Sequence, residues 1–200
     1  MNKSLINLSR ILFAGLIAFE LLNQFKVLNY PLTFTWLGLV LTSTIIWLLL
    51  EIISFYTQKK CDRPISGLSM LTATTVVYLD ALGDIFLFYA RYGWYDQIAH
   101  FIGGAAVCGI VFSVIKSLVD CQRIKLGLFG QGFFSLMTAA FLGVIYELEE
   151  YFEDIFTGSH RLGDGMDTAN DLFLDLTGAL VILILIIFYF YVSGRSRSAD

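Results

Sequence analysis

The stretch from Leu172 to Val192 reads LFLDLTGALVILILIIFYFYV, and Asp175 is its one charged residue. At a rise of ~1.5 Å per helical residue it is about 30 Å long, the thickness of the hydrocarbon core of a bilayer. Five other segments pass the same length test: Ile11 to Leu28, Thr33 to Tyr56, Ser66 to Ala90, Ile98 to Val119 and Phe129 to Phe152. Hydrophobic residues make up 57% of the 200-residue chain, above the roughly 45–50% of soluble domains. One soluble core of this size has no room for that excess, whereas lipid does. The expectation is an all-α membrane protein, a bundle of six transmembrane helices.

The breakers fall between these segments. Pro31 follows the first, Pro64 precedes the third, and Gly158, Gly163 and Gly165 precede the sixth. With no repeat or low-complexity linker, residues 1–200 read as a single integral membrane domain. Lys3 and Arg10 ahead of an apolar run resemble a signal peptide, but no Ala-x-Ala cleavage pattern follows, so the first segment reads as a retained anchor.

Cytoplasmic loops carry the Lys and Arg excess. Ten basic residues (Lys3, Arg10, Lys59, Lys60, Arg63, Lys116, Arg123, Lys125, Arg195, Arg197) fall on the side of the termini, against Lys26, Arg91 and Arg161 on the other. Both termini are therefore expected in the cytoplasm. Tyr30, Trp36, Tyr89, Tyr92, Trp94 and Tyr95 at the outer interface and Tyr189 and Tyr191 at the inner one suit that topology. Cys61 and Cys121 then lie in cytoplasmic loops and Cys108 within the fourth helix. Three separate thiols are expected, with no disulfide and no CxxC metal site.

The acids are unevenly placed. Of the 17 Asp and Glu, twelve (Asp80, Asp84, Asp96, Glu147, Glu149, Glu150, Glu153, Asp154, Asp164, Asp167, Asp171, Asp175) map to the outer halves of helices three to six or their loops. The net charge of -4 is thus local, and no basic face is present to recognise nucleic acid. Measured from Ser66, Asp80 lies about 21 Å along its helix, within the membrane.

Residues three, four or seven apart share a helix face. Asp80 pairs with Asp84, Asp96 with His100, and Asp171 with Asp175, while Glu147, Glu150 and Asp154 form one stripe. Glu149 and Glu153 point the other way and are expected in solvent, as is the loop residue His160. The Gly-containing segment from His160 to Asn170, carrying Asp164 and Asp167, can fold back over the cluster. Small residues (Gly103, Gly104, Ala105, Ala106, Gly109; Ala139, Ala140, Gly143; Gly178, Ala179) let helices four, five and six approach closely.

A carboxylate in the membrane costs roughly 2.5–3.5 kcal/mol, and several together repel one another. Arg91 and Arg161 are too few to neutralise so many. The choice lies between shared protons and a bound cation, and oxygen-rich sites with an imidazole suit a divalent metal or a two-metal centre. Blander roles stand beside these: Asp167 or Asp96 as helix caps, and His100 as a core imidazole bonded to a neighbouring helix. Asp164-Gly165-Met166-Asp167 lacks the alternating acids and central glycine of an EF-hand.

The strings Tyr95-Asp96-Gln97-Ile98-Ala99-His100-Phe101, Tyr146-Glu147-Leu148-Glu149-Glu150-Tyr151 and Gly163-Asp164-Gly165-Met166-Asp167-Thr168-Ala169-Asn170-Asp171, with Gly178, resemble the signature of the YjdF-like bacterial inner-membrane proteins. More loosely they resemble the VanZ-like proteins, associated with glycopeptide resistance. The resemblance covers about Asp80 to Leu180 and implies an inner-membrane location. It places Asp96, His100, Glu147, Glu150, Asp164, Asp167 and Asp171 at the motif positions, leaving Asp80 and Asp175 outside them, and it leaves the reaction open.

Three functions compete. One is a metal-dependent membrane enzyme acting on a lipid or lipid-linked headgroup, with the divalent ion activating water and a spare carboxylate as general base. A cation- or proton-coupled transporter is the second, and it needs a polar path onward, for which Glu20 and Glu51 are the remaining acids within the helices. Third is a non-catalytic protein that binds a lipid or cell-wall precursor.

Overall fold

The computed structural model describes residues 2–196, with side chains through residue 192. Arg197 and the Arg195 side chain, two of the ten counted cations, lie outside the described residues. Seven helices follow in chain order: α1 Asn2–Gln24, α2 Trp36–Cys61, α3 Gly67–Ile85, α4 Phe88–Arg91, α5 Gly93–Asp120, α6 Leu128–Thr157 and α7 Gly165–Ser196. Six are long and apolar enough to cross a membrane, and α4 is the short exception. No strand occurs among the described residues.

Apolar length locates the spans well and their ends less well. Helices α1, α5 and α7 begin several residues before the apolar count does, because a helix continues beyond hydrocarbon wherever its orphan N–H groups find partners. Asp164 supplies them for α7, its Oδ1 accepting from the amides of Met166 (2.8 Å) and Asp167 (3.0 Å). The cap is therefore Asp164 rather than Asp167. The third segment, expected to reach Ala90, stops at Ile85. Asp84 Oδ1 accepts from the amides of Thr33 (2.8 Å) and Phe34 (2.9 Å), drawing the α1–α2 connection over the end of α3, and Leu87 turns the chain at φ 58°.

Asn2 accepts a hydrogen bond from the Gly67 amide, and Arg123 Nε donates to the Lys60 carbonyl at 2.7 Å. Lys116 Nζ lies 5.3 Å from the Phe190 ring centre. The start of α1, the turns that carry Arg63, Arg123 and Lys125, and the last turns of α7 thus share one end, the termini end. At this end Cys61 and Cys121, 60 residues apart, meet as a disulfide with Cα atoms 5.5 Å apart. That corrects the expectation of three separate thiols: Cys108 alone is free, and it is buried. Chain spacing holds no information about two distant turns meeting.

The apolar interior has two parts. Phe13, Leu16, Leu39, Leu50, Met70 and Val77 fill the space between α1, α2 and α3. Cys108, Phe112, Ala139, Ala179 and Leu183 fill that between α5, α6 and α7. Helix α5 joins the halves, since it packs on α2 and α3 as well as on α6 and α7. Large apolar side chains such as Phe55, Phe129, Ile184 and Phe188 face outward, as lipid requires. At the α5–α7 crossing a Cβ on Gly104 would strike the Asp175 backbone, and one on Gly178 would strike that of Phe101. Only glycine permits this backbone contact, and it sets His100, one turn from Gly104, against Asp171 and Asp175.

Candidate functional site

Away from the termini end, polar side chains enter the bundle from α3, α5, α6, α7 and the 158–164 segment. The first group surrounds His100, whose ring is buried. Its Nε2 lies 3.6 Å from Asp96 Oδ1, 3.9 Å from Glu147 Oε1 and 4.0 Å from Asp171 Oδ1. Its Nδ1 faces Asp175 Oδ1 at 3.5 Å. Asp96 and His100 share a face of α5 by their four-residue spacing, as Asp171 and Asp175 do on α7. Glu147 reaches across from α6.

Glu147 is 4% exposed and neither of its carboxylate oxygens has a hydrogen-bond partner; Asp171, 3% exposed, leaves Oδ1 in the same condition. Buried polar atoms are normally paired, because a lost partner costs about 1–3 kcal/mol. One ligand atom each from Asp96, His100 and Asp171 lies within 4.8 Å of the other two. Donors bound ~2.0–2.6 Å from one ion are themselves roughly 3–4 Å apart, so these residues fit a cation after a small contraction. Asp175 on the opposite ring nitrogen is where a metal-binding histidine takes its orienting carboxylate. Asp96 is the half-buried member and opens the group to the surface.

The second group surrounds Arg161. Its Nε donates to Glu150 Oε1 at 2.8 Å and its Nη2 to Asp80 Oδ1 at 3.2 Å and to the Tyr146 hydroxyl. Glu153 Oε2 lies 3.8 Å from Nη1. The guanidinium also rests on the rings of Phe34 and Tyr146, 5.4 and 5.6 Å from their centres. Burial opposes the charge on Arg161, but Tyr146, Asp80 and Glu150 outweigh it and hold the guanidinium well above its ordinary pKa. Burial, and then the Asp80 carboxylate, push the Tyr89 phenol well above its usual value, so it stays a donor to Asp80 at 2.8 Å.

Asp154 determines the path of Arg161. Its carboxylate accepts from the amides of Arg161 (2.8 Å) and Leu162 (3.2 Å) and from the Ser159 hydroxyl (2.6 Å). Gly158 reverses the chain at φ 71° just after α6. The segment therefore folds back and drives one cation between α3 and α6.

The seven residues named from the sequence thus separate. Asp96, His100, Glu147 and Asp171 gather around the imidazole, Glu150 pairs with Arg161, Asp164 caps α7, and Asp167 lies exposed on the first turn of α7. His160 is exposed. Glu153, expected in solvent, is buried against Thr35 and Arg161, and Glu149 faces Thr42 at 3.5 Å. The face of α6 that looked like an outer surface meets α2 side chains. Asp175 belongs to the histidine group on spacing from Asp171, while the depth of Arg161 had no signal in the sequence.

Residues 8–192 match the family described as predicted membrane protein (DUF2238). No curated protein and no solved structure matches the chain.

Proposed function

The chain belongs to this DUF2238 family of predicted membrane proteins, and we propose that its His100 group binds a divalent cation and serves a metal-dependent enzyme acting on a lipid or lipid-linked headgroup. One observation carries the reading: a buried imidazole with three carboxylates around Nε2, a fourth at Nδ1, and both oxygens of Glu147 unpartnered. Asp96, His100 and Asp171 would hold the ion, with Glu147 as a further ligand or general base. A bound divalent ion supplies Lewis acidity and lowers the pKa of water. Asp175 keeps the imidazole turned toward the cation. Asp96, in the first turn of α5, lies near exposed Tyr92 and Trp94, aromatics of the kind that sit at headgroup depth. A headgroup therefore reaches the site without leaving its leaflet.

In this reading the termini face the cytoplasm and the site faces outward, as the ten-to-three bias of basic residues favours. The Cys61–Cys121 bridge lies at the end so assigned, where thiols are normally kept reduced. The charge bias is the stronger argument, because it acts on every loop during insertion, whereas the compartment rule for disulfides is a tendency with exceptions.

Elemental analysis of the purified protein should find about one divalent metal per chain, lost in His100→Ala and Glu147→Gln. A metal-free wild type that takes up none of Mg, Mn, Ca or Zn on dialysis would defeat the proposal. A transporter is the second reading, favoured by Glu20, which is fully buried with Oε2 unpartnered and Oε1 accepting from Ser43 at 3.0 Å. Metal flux into proteoliposomes that fails in Glu20→Gln would select it over the enzyme.

A further inference from the structure

At the termini end two openings adjoin. A groove of about 390 Å³ runs between α5 and α7, walled by Phe112, Leu185, Ile186, Tyr189 and Phe190. Beside it lies a cavity of about 330 Å³ bordered by polar groups, among them Thr57, Arg63, Ser66 and Asp120. Ser113 and Lys116 border both. An apolar groove thus adjoins a chamber bordered by polar groups, and one cation, Lys116, stands where they meet.

The charge of the chamber is specific. Lys116 Nζ pairs with Asp120 at 2.9 and 3.1 Å and lies 5.3 Å from the Phe190 ring centre, which holds it at the mouth of the groove. Arg63 lines the same chamber, is exposed, and makes no ion pair among the described residues. Two cations against one carboxylate leave a net positive charge. Lys116 is one turn from the end of α5, with Tyr189 and Tyr191 near the end of α7, so the chamber lies at headgroup depth and the groove at acyl depth.

We propose that this pair of openings binds an anionic phospholipid of the termini-side leaflet, with one acyl chain in the α5–α7 groove and the phosphate between Arg63 and Lys116. The apolar wall explains why the occupant is a lipid and not a soluble phosphate. The unbalanced cation explains why it is an anionic lipid and not a zwitterionic one. The site is independent of the His100 group: Lys116 lies on α5 about 24 Å beyond His100, toward the opposite end of the bundle.

The test is lipid retention, read by native mass spectrometry of the full chain in detergent with equimolar phosphatidylglycerol and phosphatidylcholine. The wild type should keep one phosphatidylglycerol per chain, in preference to phosphatidylcholine by roughly tenfold or more, the size expected from two cations near a headgroup. Arg63→Gln with Lys116→Gln should abolish the preference. Ser113→Phe, which fills the junction, should displace the lipid with the cations intact. Lys59→Gln with Lys60→Gln removes equal charge from the same end outside the chamber and should change nothing. Equal retention of both lipids by the wild type would overturn the proposal, whatever the variants do. So would a loss in the Lys59/Lys60 variant as large as in the Arg63/Lys116 variant, since diffuse surface charge would then be the cause.

Discussion

Two groups of ionisable side chains lie next to each other in this bundle, linked by Tyr146, whose ring meets His100 edge-on at 5.8 Å while its hydroxyl serves Arg161. Around Arg161 the fold brings its own cation. A segment outside the membrane spans is pinned by Asp154, and its guanidinium bonds to carboxylates from α3 and α6. Around His100 the carboxylates outnumber the imidazole by four to one, lie 3.5–4.0 Å from it, and include two buried residues with unpartnered oxygens. Both groups leave buried atoms without a hydrogen bond, Nη1 of Arg161 and Oε2 of Glu153 among them, but they differ in whether the chain supplies a permanent cation. A group with its own guanidinium reads as architecture, and one whose carboxylates face only an imidazole reads as a place for a ligand.

The largest effect expected from this contrast is at Arg161. Arg161→Leu leaves buried Glu150 and half-buried Asp80 without their cation, and breaking a buried pair this way costs about 3–5 kcal/mol. Thermal unfolding in detergent should show the variant as the least stable of those considered, with partial recovery when Glu150→Gln is added. Glu150→Gln alone should leave bound metal unchanged. Metal loss in that variant would merge the two groups into one and end the comparison.

A smaller effect is expected at the crossing that aligns the histidine group. Gly104→Leu puts a side chain into the backbone of Asp175, and overpacking of this kind typically costs 1–3 kcal/mol. Because α5 and α7 must then separate, His100 moves from Asp171 and Asp175 while Arg161, whose hydrogen bonds and ion pairs run to α3 and α6, keeps its partners. The variant should lose bound metal more completely than it loses stability. The reverse result would mean that the α5–α7 contact does not position the ligands.

How far the sequence reaches can be seen in these same residues. Six apolar segments of bilayer length and the i, i+4 pairs Asp96/His100 and Asp171/Asp175 were visible because both depend on local spacing alone. Local spacing also separated Glu147 from Glu149. What it left out is tertiary. Nothing around Arg161 signals that its side chain enters the bundle, since that depends on Asp154 pinning the segment and on Phe34 and Tyr146 offering their ring faces. The burial of Glu153 depends on Thr35 of another element, and the Cys61–Cys121 contact on two turns meeting. The motif resemblance grouped Asp164, Asp167 and Glu150 with the candidate ligands because a pattern records positions along the chain, and positions do not separate a cap or a counter-ion from a residue of the His100 group.

The smallest expected effect separates cap from ligand most cleanly. Asp164 and Asp171 lie on one segment, seven residues apart, and share a helix-facing register, yet Asp164 is exposed and receives two backbone N–H groups whereas Asp171 is buried beside His100. A cap needs an acceptor oxygen and no charge, so Asp164→Asn should be nearly silent, and Asp164→Ala should cost about 1 kcal/mol with metal content intact. A ligand to a divalent ion needs the carboxylate itself. Asp171→Asn should therefore lose metal while the apo protein holds or gains stability, because one buried charge is removed. Parallel metal analysis and thermal unfolding of the two Asn variants decide the matter: equal behaviour at both positions would mean that burial and hydrogen bonding do not distinguish ligands from caps in this fold, and the cation assigned to the His100 group would lose its physical basis.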